Sequence, residues 1–309
     1  MKIITITLSP AFDIHCHIKA FLPYHENLAT VLSRDAGGKG INISRALTRN
    51  GVENTAVVVL GEENATDFCQ CLAQDNIRIK KISVPGRIRE NITIHTENAE
   101  ETRISFSGFS ANQDLLKKTE ELLNCEIDSN TVVTFTGRVP DGIHLDQAKS
   151  FLLRTKDKGA KIVIDSRSFE TTDLLDVKPW LIKPNQEEIS HYFKREILSL
   201  QDALDAAKLL HNEGILNIMV SMGGEGAILV CDQGVWAADA PKINVLSTIG
   251  AGDSSIAGFL FATSKNLSKE QCLKTAVAYG SAACIQQGTR PPSPEDIQNL
   301  LQEIHVFTL

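Results

Sequence analysis

Gly250-Ala251-Gly252-Asp253 puts three small residues and a carboxylate at the start of a helical pattern that continues through Ile256, Phe259 and Leu260. Small residues at a helix entrance leave backbone N–H groups pointing outward, and the helix dipole adds about half a positive charge there. Such a turn can cradle a transferring phosphate, and an aspartate in the first turn can accept the proton of an attacking hydroxyl. The same residues also suit a tight turn in which Asp253 only caps the helix. Gly250, Ala251, Gly252 and Asp253 are therefore the candidate catalytic residues.

Other segments carry complementary chemistry. Gly37-Gly38-Lys39-Gly40 opens a helix, its glycines admitting a ligand close to the backbone and Lys39 neutralising phosphate charge, while Asn42 one turn on can bind a polyol. It is no Walker loop, because the glycine spacing is wrong and no Ser or Thr follows the lysine. Asp13, just beyond a first strand, stands where open α/β sheets bind ligands; it can grip two sugar hydroxyls or serve as a turn residue. In Lys183-Pro184-Asn185-Gln186-Glu187-Glu188, Asn185 and Glu188 have the spacing of a capping box, and the same pair can organise the water shell of Mg²⁺. Ser221-Met222-Gly223-Gly224-Glu225-Gly226 lacks the third glycine of a dinucleotide fingerprint, so it reads as a hairpin at the sheet edge, either lying against a nucleotide or simply turning. His15-Cys16-His17 would put both histidines on one strand face with no second ligand pair, which argues against zinc. No Gly-x-Ser-x-Gly elbow is present.

The elements that must hold these residues alternate. Apolar runs at 3–8, 56–60, 132–135, 162–164 and 218–220 read as buried strands, and helical patterns fall at 41–49, 115–123, 145–153, 203–210, 251–262 and 272–285. This is the pattern of an α/β fold with a doubly wound, mainly parallel sheet flanked by helices, one domain over residues 1–309. Segments 14–20, 28–34, 91–96 and 103–107 alternate apolar and polar residues instead. They read as two antiparallel pairs of half-exposed strands, a small lid sheet built from about 14–34 and 91–107. Residues 1–8 read as a first strand rather than a leader, and Pro291-Pro292-Ser293-Pro294 as the start of a final amphipathic helix rather than a domain boundary.

Composition bounds the function. A chain of 309 residues with 42% hydrophobic and 22% charged residues is an ordinary globular sequence, and a formal charge of −7 argues against nucleic-acid binding. Lys39, Arg87, Arg89 and Arg138 can still supply local phosphate sites. No apolar run approaches the ~20 residues of a membrane span. Seven cysteines without a Cys-x-x-Cys pair fit a reduced, cytoplasmic protein.

Taken in order, the motifs resemble the ribokinase-like (phosphofructokinase B) family of carbohydrate kinases over essentially the whole chain. Thr7-Leu8-Ser9-Pro10-Ala11-Phe12-Asp13 looks like the opening of its branch containing 1-phosphofructokinase and tagatose-6-phosphate kinase, and Arg89-Glu90-Asn91 matches an Arg-x-Asn lid strand. Gly37-Gly38-Lys39-Gly40-Ile41-Asn42 is similar to the sugar-binding signature, Asn185 to Glu188 to the Asn-x-x-Glu motif, and Ser247 to Ser254 to the anion hole and base. The resemblance implies Asp253 as general base and Gly250, Ala251 and Gly252 as anion hole. It implies Asp13, Gly37, Gly38, Lys39, Asn42, Arg89, Asn91 and Arg138 around the substrate. Lys183, Asn185, Ser221, Gly223, Gly226 and Thr248 would line the nucleotide pocket, with Mg²⁺ held through water by Asn185 and Glu188. The implied partners are ATP, a sugar phosphate and a second copy of the chain, joined through the lid. The implied reaction is ATP-dependent transfer to fructose 1-phosphate, giving fructose 1,6-bisphosphate. Tagatose 6-phosphate, fructose 6-phosphate and an unphosphorylated sugar or nucleoside are the alternatives among enzymes, and a sugar or nucleotide sensor is the alternative outside them. Two departures stand out: Ala29 occupies the position of a lid arginine, and Arg138 stands in Thr136-Gly137-Arg138-Val139-Pro140 where the branch has serine.

Overall fold

The alternation of isoleucine and threonine at the N-terminus folds as an interior strand of a large sheet. The computed structural model describes residues 1–98, 101–112, 114–286 and 288–309. In chain order the first elements are β1 (Lys2–Thr7), β2 (Ala11–His17), β3 (Thr30–Gly37), α1 (Lys39–Arg49), β4 (Thr55–Gly61), α2 (Ala65–Ala73), β5 (Ile79–Val84), β6 (Arg89–His95) and β7 (Glu101–Ser105). Next come α3 (Asp114–Leu123), β8 (Thr131–Thr136), α4 (Leu145–Asp157), β9 (Lys161–Asp165), α5 (Thr171–Val177), β10 (Leu181–Ile182), α6 (Gln186–Phe193) and α7 (Leu200–Asn212). The chain ends with β11 (Asn217–Ser221), β12 (Ala227–Cys231), β13 (Gly234–Ala238), α8 (Ala251–Ser264), α9 (Lys269–Cys284), α10 (Pro294–Glu303) and β14 (Val306–Thr308).

Among the described residues the main sheet has the order β14-β13-β12-β11-β10-β9-β8-β1-β4-β5, parallel from β11 to β5 and antiparallel beyond β11. Alternate residues of each strand enter two separate cores. Ile4, Ile6, Val133, Phe135, Ile162 and Ile164 face α2 to α7, whereas Ile3, Val132 and Val163 face α1, α8, α9 and α10. Register is pinned by a polar pair inside the second face, where the Thr5 and Ser44 hydroxyls meet at 2.8 Å. A one-residue slip would set an isoleucine against Ser44 and leave a buried hydroxyl unpaired, at a cost of about 1–3 kcal/mol.

The small sheet has the order β3-β2-β6-β7, with β2–β3 and β6–β7 antiparallel and β2–β6 parallel. β2, β6 and β7 begin two or three residues earlier than the alternation suggests and β3 two residues later, so Asp13 lies inside β2 and Arg89 joins Asn91 inside β6. Residues 99 and 100 of the expected 91–107 segment lie outside the described residues. A bulge at Leu32 of β3 shifts the β2–β3 register after His15; Cys16 turns into the protein, and His15 Nδ1 meets His95 Nε2 on β6 at 2.9 Å. At the root of this sheet the Arg34 guanidinium stacks 3.9 Å over the Phe12 ring. The glycine-rich hairpin between β11 and β12 is not at the sheet edge, since β13 and β14 lie outside it. Short outer strands of five and three residues carry too little periodicity to be read beforehand.

No helix of the described residues is long and apolar enough to cross a membrane. The buried pair α8 and α9 crosses at Gly258, where an added Cβ would lie 2.7 Å from the Thr275 carbonyl and 2.8 Å from Tyr279 Cβ. We expect Gly258→Ala to destabilise by about 1–3 kcal/mol through overpacking. Thermal denaturation should show a midpoint lower by several degrees, at about 2–4 °C per kcal/mol; an unchanged midpoint would mean that the crossing has slack.

Candidate active site

The carboxyl ends of β1, β8, β9 and β10 share one edge of the parallel sheet, and two helix N-termini point at it. Gly38 caps α1 with φ 141° and Gly250 caps α8 with φ 80°, conformations that only glycine adopts without strain. The two helices are joined by Asn42, whose Nδ2 donates to Asp253 Oδ2 at 2.8 Å. Asp253 is only 6% exposed. A Cβ on Gly252 would lie 3.0 Å from Lys183 Nζ, so a buried ammonium presses against the turn. Of the three amides expected to face an anion, that of Ala251 donates back to the Thr248 carbonyl at 3.3 Å. Gly250 and Gly252 donate to no backbone carbonyl among the described residues.

A second buried carboxylate, Asp165 at the end of β9, accepts from Lys39 Nζ at 2.7 Å. Burial would raise the Asp165 carboxyl, but the Lys39 and Lys183 charges outweigh it and hold the group below the usual carboxylate range. Burial would lower the Lys39 ammonium, yet Asp165 and Asp253 together hold it above its ordinary value. Asp253 goes the other way. Burial, aided by repulsion from Asp165 and offset in part by Lys39, Asn42 and Lys183, pushes it up to about 6. Two neighbouring carboxylates with titrations pushed apart divide the work, one staying ionised while the other exchanges a proton near neutrality.

Beside this centre lies a cavity of about 410 Å³ lined by Thr7, Gly38, Lys39, Arg89, Arg138 and Arg167 among others. Arg89 is half-buried, and among the described residues its Nε has no partner. Burial lowers its guanidinium, with Asp13 pulling the other way. Asp13 Oδ1 accepts from Asn91 Nδ2 at 2.9 Å and faces Arg103 Nη2 at 3.4 Å; Asp13 and Asn91 are opposed across the β2–β6 pairing. Gly37 has room for no side chain, because a Cβ there would collide with the Asp13 carboxylate. Arg138 Nη2 donates to Asp141 Oδ1 at 2.8 Å, both side chains being exposed.

On the far side of Lys183, the Asn185 Oδ1 accepts from the Glu188 N–H at 2.8 Å and Glu188 Oε2 accepts from the Asn185 N–H at 3.1 Å, a complete capping box. The other oxygen, Glu188 Oε1, accepts from Arg167 Nε at 3.3 Å. Ser221 is brought alongside, its N–H donating to the Pro184 carbonyl at 3.0 Å. Gly223 is exposed on a single 3₁₀ turn, and Thr248 is exposed ahead of α8. Gly226 is buried, and a Cβ there would strike the Ala238 carbonyl, so strand packing accounts for that glycine. No group of three or more His, Cys, Asp or Glu converges among the described residues. Asn185 and Glu188 offer only oxygen donors, each already accepting a hydrogen bond, which suits a Mg²⁺ ion held through its water shell.

Three residues of this constellation escape the motif-by-motif reading. Asp165 follows the recognisable strand 162–164, Arg167 follows Asp165 by two, and Arg103 lies in the alternating segment 103–107. Position at a strand's carboxyl end is the one signal that points to Asp165.

The sequence matches the pfkB family carbohydrate kinase pattern over residues 13–296. It is 31% identical to 1-phosphofructokinase of Vibrio cholerae over 308 residues, covering 100% of this chain and 97% of that protein. It is 29% identical to the ATP-dependent 6-phosphofructokinase isozyme 2 of Escherichia coli, with 97% and 98% covered. The fold superimposes on phosphofructokinase-2 from Escherichia coli, crystallised with substrates and products, with a TM-score of 0.90 at 28% identity, covering 98% of this chain and 99% of that one.

Because Asp165 repels the Asp253 carboxylate, Asp165→Asn should lower the Asp253 titration from about 6 toward the ordinary value near 4. Carbon-13 NMR of the Asp253 carboxyl across pH 3–8 reads this directly; a midpoint unmoved from the wild type would remove Asp165 from the electrostatics of the site.

Proposed function

The chain belongs to the pfkB family of carbohydrate kinases and is an ATP-dependent sugar kinase, and from that premise we propose that its acceptor is a ketohexose phosphate, first of all fructose 1-phosphate. The supporting observation is the Arg89 Nε, buried without a partner beside a cavity that Lys39, Arg138 and Arg167 also line. An unmet buried donor costs about 1–3 kcal/mol, and an anion in that cavity removes the cost. Similarity to 1-phosphofructokinases favours fructose 1-phosphate, while the Escherichia coli 6-phosphofructokinase relative makes fructose 6-phosphate the second acceptor to test.

In this mechanism Asp13 and Asn91 hold acceptor hydroxyls, and Arg89, Arg103 and Arg138 hold its phosphate. Asn42 orients Asp253, which takes the proton of the attacking hydroxyl as that oxygen bonds to the γ-phosphorus and the bond to the ADP oxygen breaks. The Gly250 and Gly252 amides with Lys183 meet the charge that builds on the transferring group. Lys183, Ser221 and Gly223 flank the nucleotide. Asn185 and Glu188 would hold Mg²⁺ through its water shell, where the ion would neutralise nucleotide phosphate charge. Exposed Leu22, Tyr24, Leu28, Val31, Leu32 and Phe106 give the small sheet and its loop an apolar surface, which we assign to a homodimer through the lid. Seven unpaired cysteines suit a reducing cytoplasm.

A coupled ADP-release assay over phosphorylated and free sugars tests the acceptor class. Fructose 1-phosphate should give the highest kcat/KM, and preference for a free sugar or nucleoside would overturn the proposal. Asp253→Asn should lower kcat by about two to four orders of magnitude with sugar binding within a few-fold. In the wild type kcat/KM should fall as pH drops through about 6, because the base is then protonated; a rate flat across that range would assign the proton to another group. Arg138→Ser should raise KM for the sugar phosphate at least about tenfold, with a smaller change in kcat, since a charge-assisted contact is lost. Unchanged kinetics would leave Arg138 as a loop residue paired only with Asp141.

A further inference from the structure

Arg167 stands between the two halves of the site. It lines the cation-rich cavity together with Lys39, Arg89 and Arg138, and it also lines a second cavity of about 310 Å³ beside Glu187, Glu188, His191 and Tyr192. Its Nε donates to Glu188 Oε1 at 3.3 Å, and its Nη2 lies 3.7 Å from Glu187 Oε2. The Arg167 side chain is 71% exposed and that of Glu187 82%, whereas that of Glu188 is only 15% exposed. Such an ion pair contributes little and opens readily. The pairing nevertheless has a consequence for Glu188, because its other oxygen is already committed to the Asn185 backbone. With Arg167 in place, both carboxylate oxygens are engaged and the negative charge is matched.

A phosphate dianion in the adjoining cavity offers the guanidinium a stronger, bidentate partner than one shared carboxylate. We propose that Arg167 is a positioning residue that couples the two substrates: on acceptor binding it leaves Glu188 for the acceptor's phosphate, and the freed carboxylate then strengthens binding of the magnesium nucleotide. This rests on the reading of the acceptor as a sugar phosphate. Linkage makes the coupling reciprocal, so the nucleotide must tighten the sugar phosphate by the same factor. Arg167 projects from the turn after β9, next to the buried Asp165 and Ser166, while its own side chain is exposed.

Isothermal titration calorimetry of the full chain with the hydrolysis-resistant nucleotide AMP-PNP tests this without turnover. Affinity is measured with and without saturating fructose 1-phosphate, with and without Mg²⁺, in wild type and Arg167→Gln. In wild type, fructose 1-phosphate should tighten AMP-PNP by about fivefold or more when Mg²⁺ is present. The factor should collapse toward one without the metal. In Arg167→Gln it should also collapse, with the magnesium nucleotide binding alone more tightly than it binds wild type alone. A wild-type factor retained by the variant, or one that persists without Mg²⁺, overturns the proposal while leaving the acceptor class standing. Failure of wild type to bind any sugar phosphate overturns the acceptor class, and the coupling with it.

Discussion

The Lys39–Asp165 ion pair sets the charge balance on which the rest of the site depends. Two carboxylates, Asp165 and Asp253, are buried on the same sheet edge, and neither could stay ionised there alone at tolerable cost. Lys39 bonds to Asp165 directly and acts on Asp253 only through space, so the one cation leaves the two acids unequal. Lys183, wedged against Gly252, repeats that unequal sharing from the other side. The result is a carboxyl at Asp253 whose proton is held by burial and repulsion rather than by a tight partner, and its hydrogen bond from Asn42 orients it more than it neutralises it.

That balance can be built because unrelated parts of the chain end at one place. Lys39 is the first residue of α1, Asp165 the last of β9, Lys183 follows β10, and Asp253 is in the first turn of α8. Parallel strands deliver their carboxyl ends to a common edge, and the helices that follow them begin there. The small sheet extends the same edge outward, since β2 leaves from β1 and β3 runs into Gly37 and α1. Asp13 is thus tied to the centre by Asn91 across the β2–β6 pairing and by Gly37, and Arg103 of β7 meets the same carboxylate oxygen at 3.4 Å.

Much of this was legible in the sequence where local patterns are strong. The apolar runs at 3–8, 132–135 and 162–164 fall within a residue or so of β1, β8 and β9, because a strand buried on both faces leaves a continuous apolar signature. The capping box at Asn185 follows from spacing alone, since its partners are three residues apart. The strand β5, with two lysines in Ile79–Val84, and the seven-residue helix α5 are too mixed or too short to declare themselves. Gly226 is glycine because of the Ala238 carbonyl of another strand, a reason invisible from the glycine-rich motif that drew attention to it. The pairing of Lys39 with Asp165 spans 126 positions, and nothing local to either residue announces the other.

The net charge of −7 and the cationic cavity are compatible because they act over different distances. Counter-ions screen the surface field within about 8–10 Å at physiological ionic strength, so an anionic ligand inside the cleft responds to the groups that line it. Arg89, Lys39, Arg138 and Arg167 line it, and Asp165 faces Lys39 from beneath rather than entering the lining. Anionic side chains that do lie near, Asp141 on Arg138 and Glu188 on Arg167, are each paired with an arginine that is more than half exposed. Those pairs are the weak ones, whereas in the Lys39–Asp165 pair the carboxylate is buried and the lysine half-buried. The cleft therefore combines a charge pair anchored on a buried carboxylate with loosely held arginines at its rim, and at the rim an arginine can exchange its carboxylate partner for another anion.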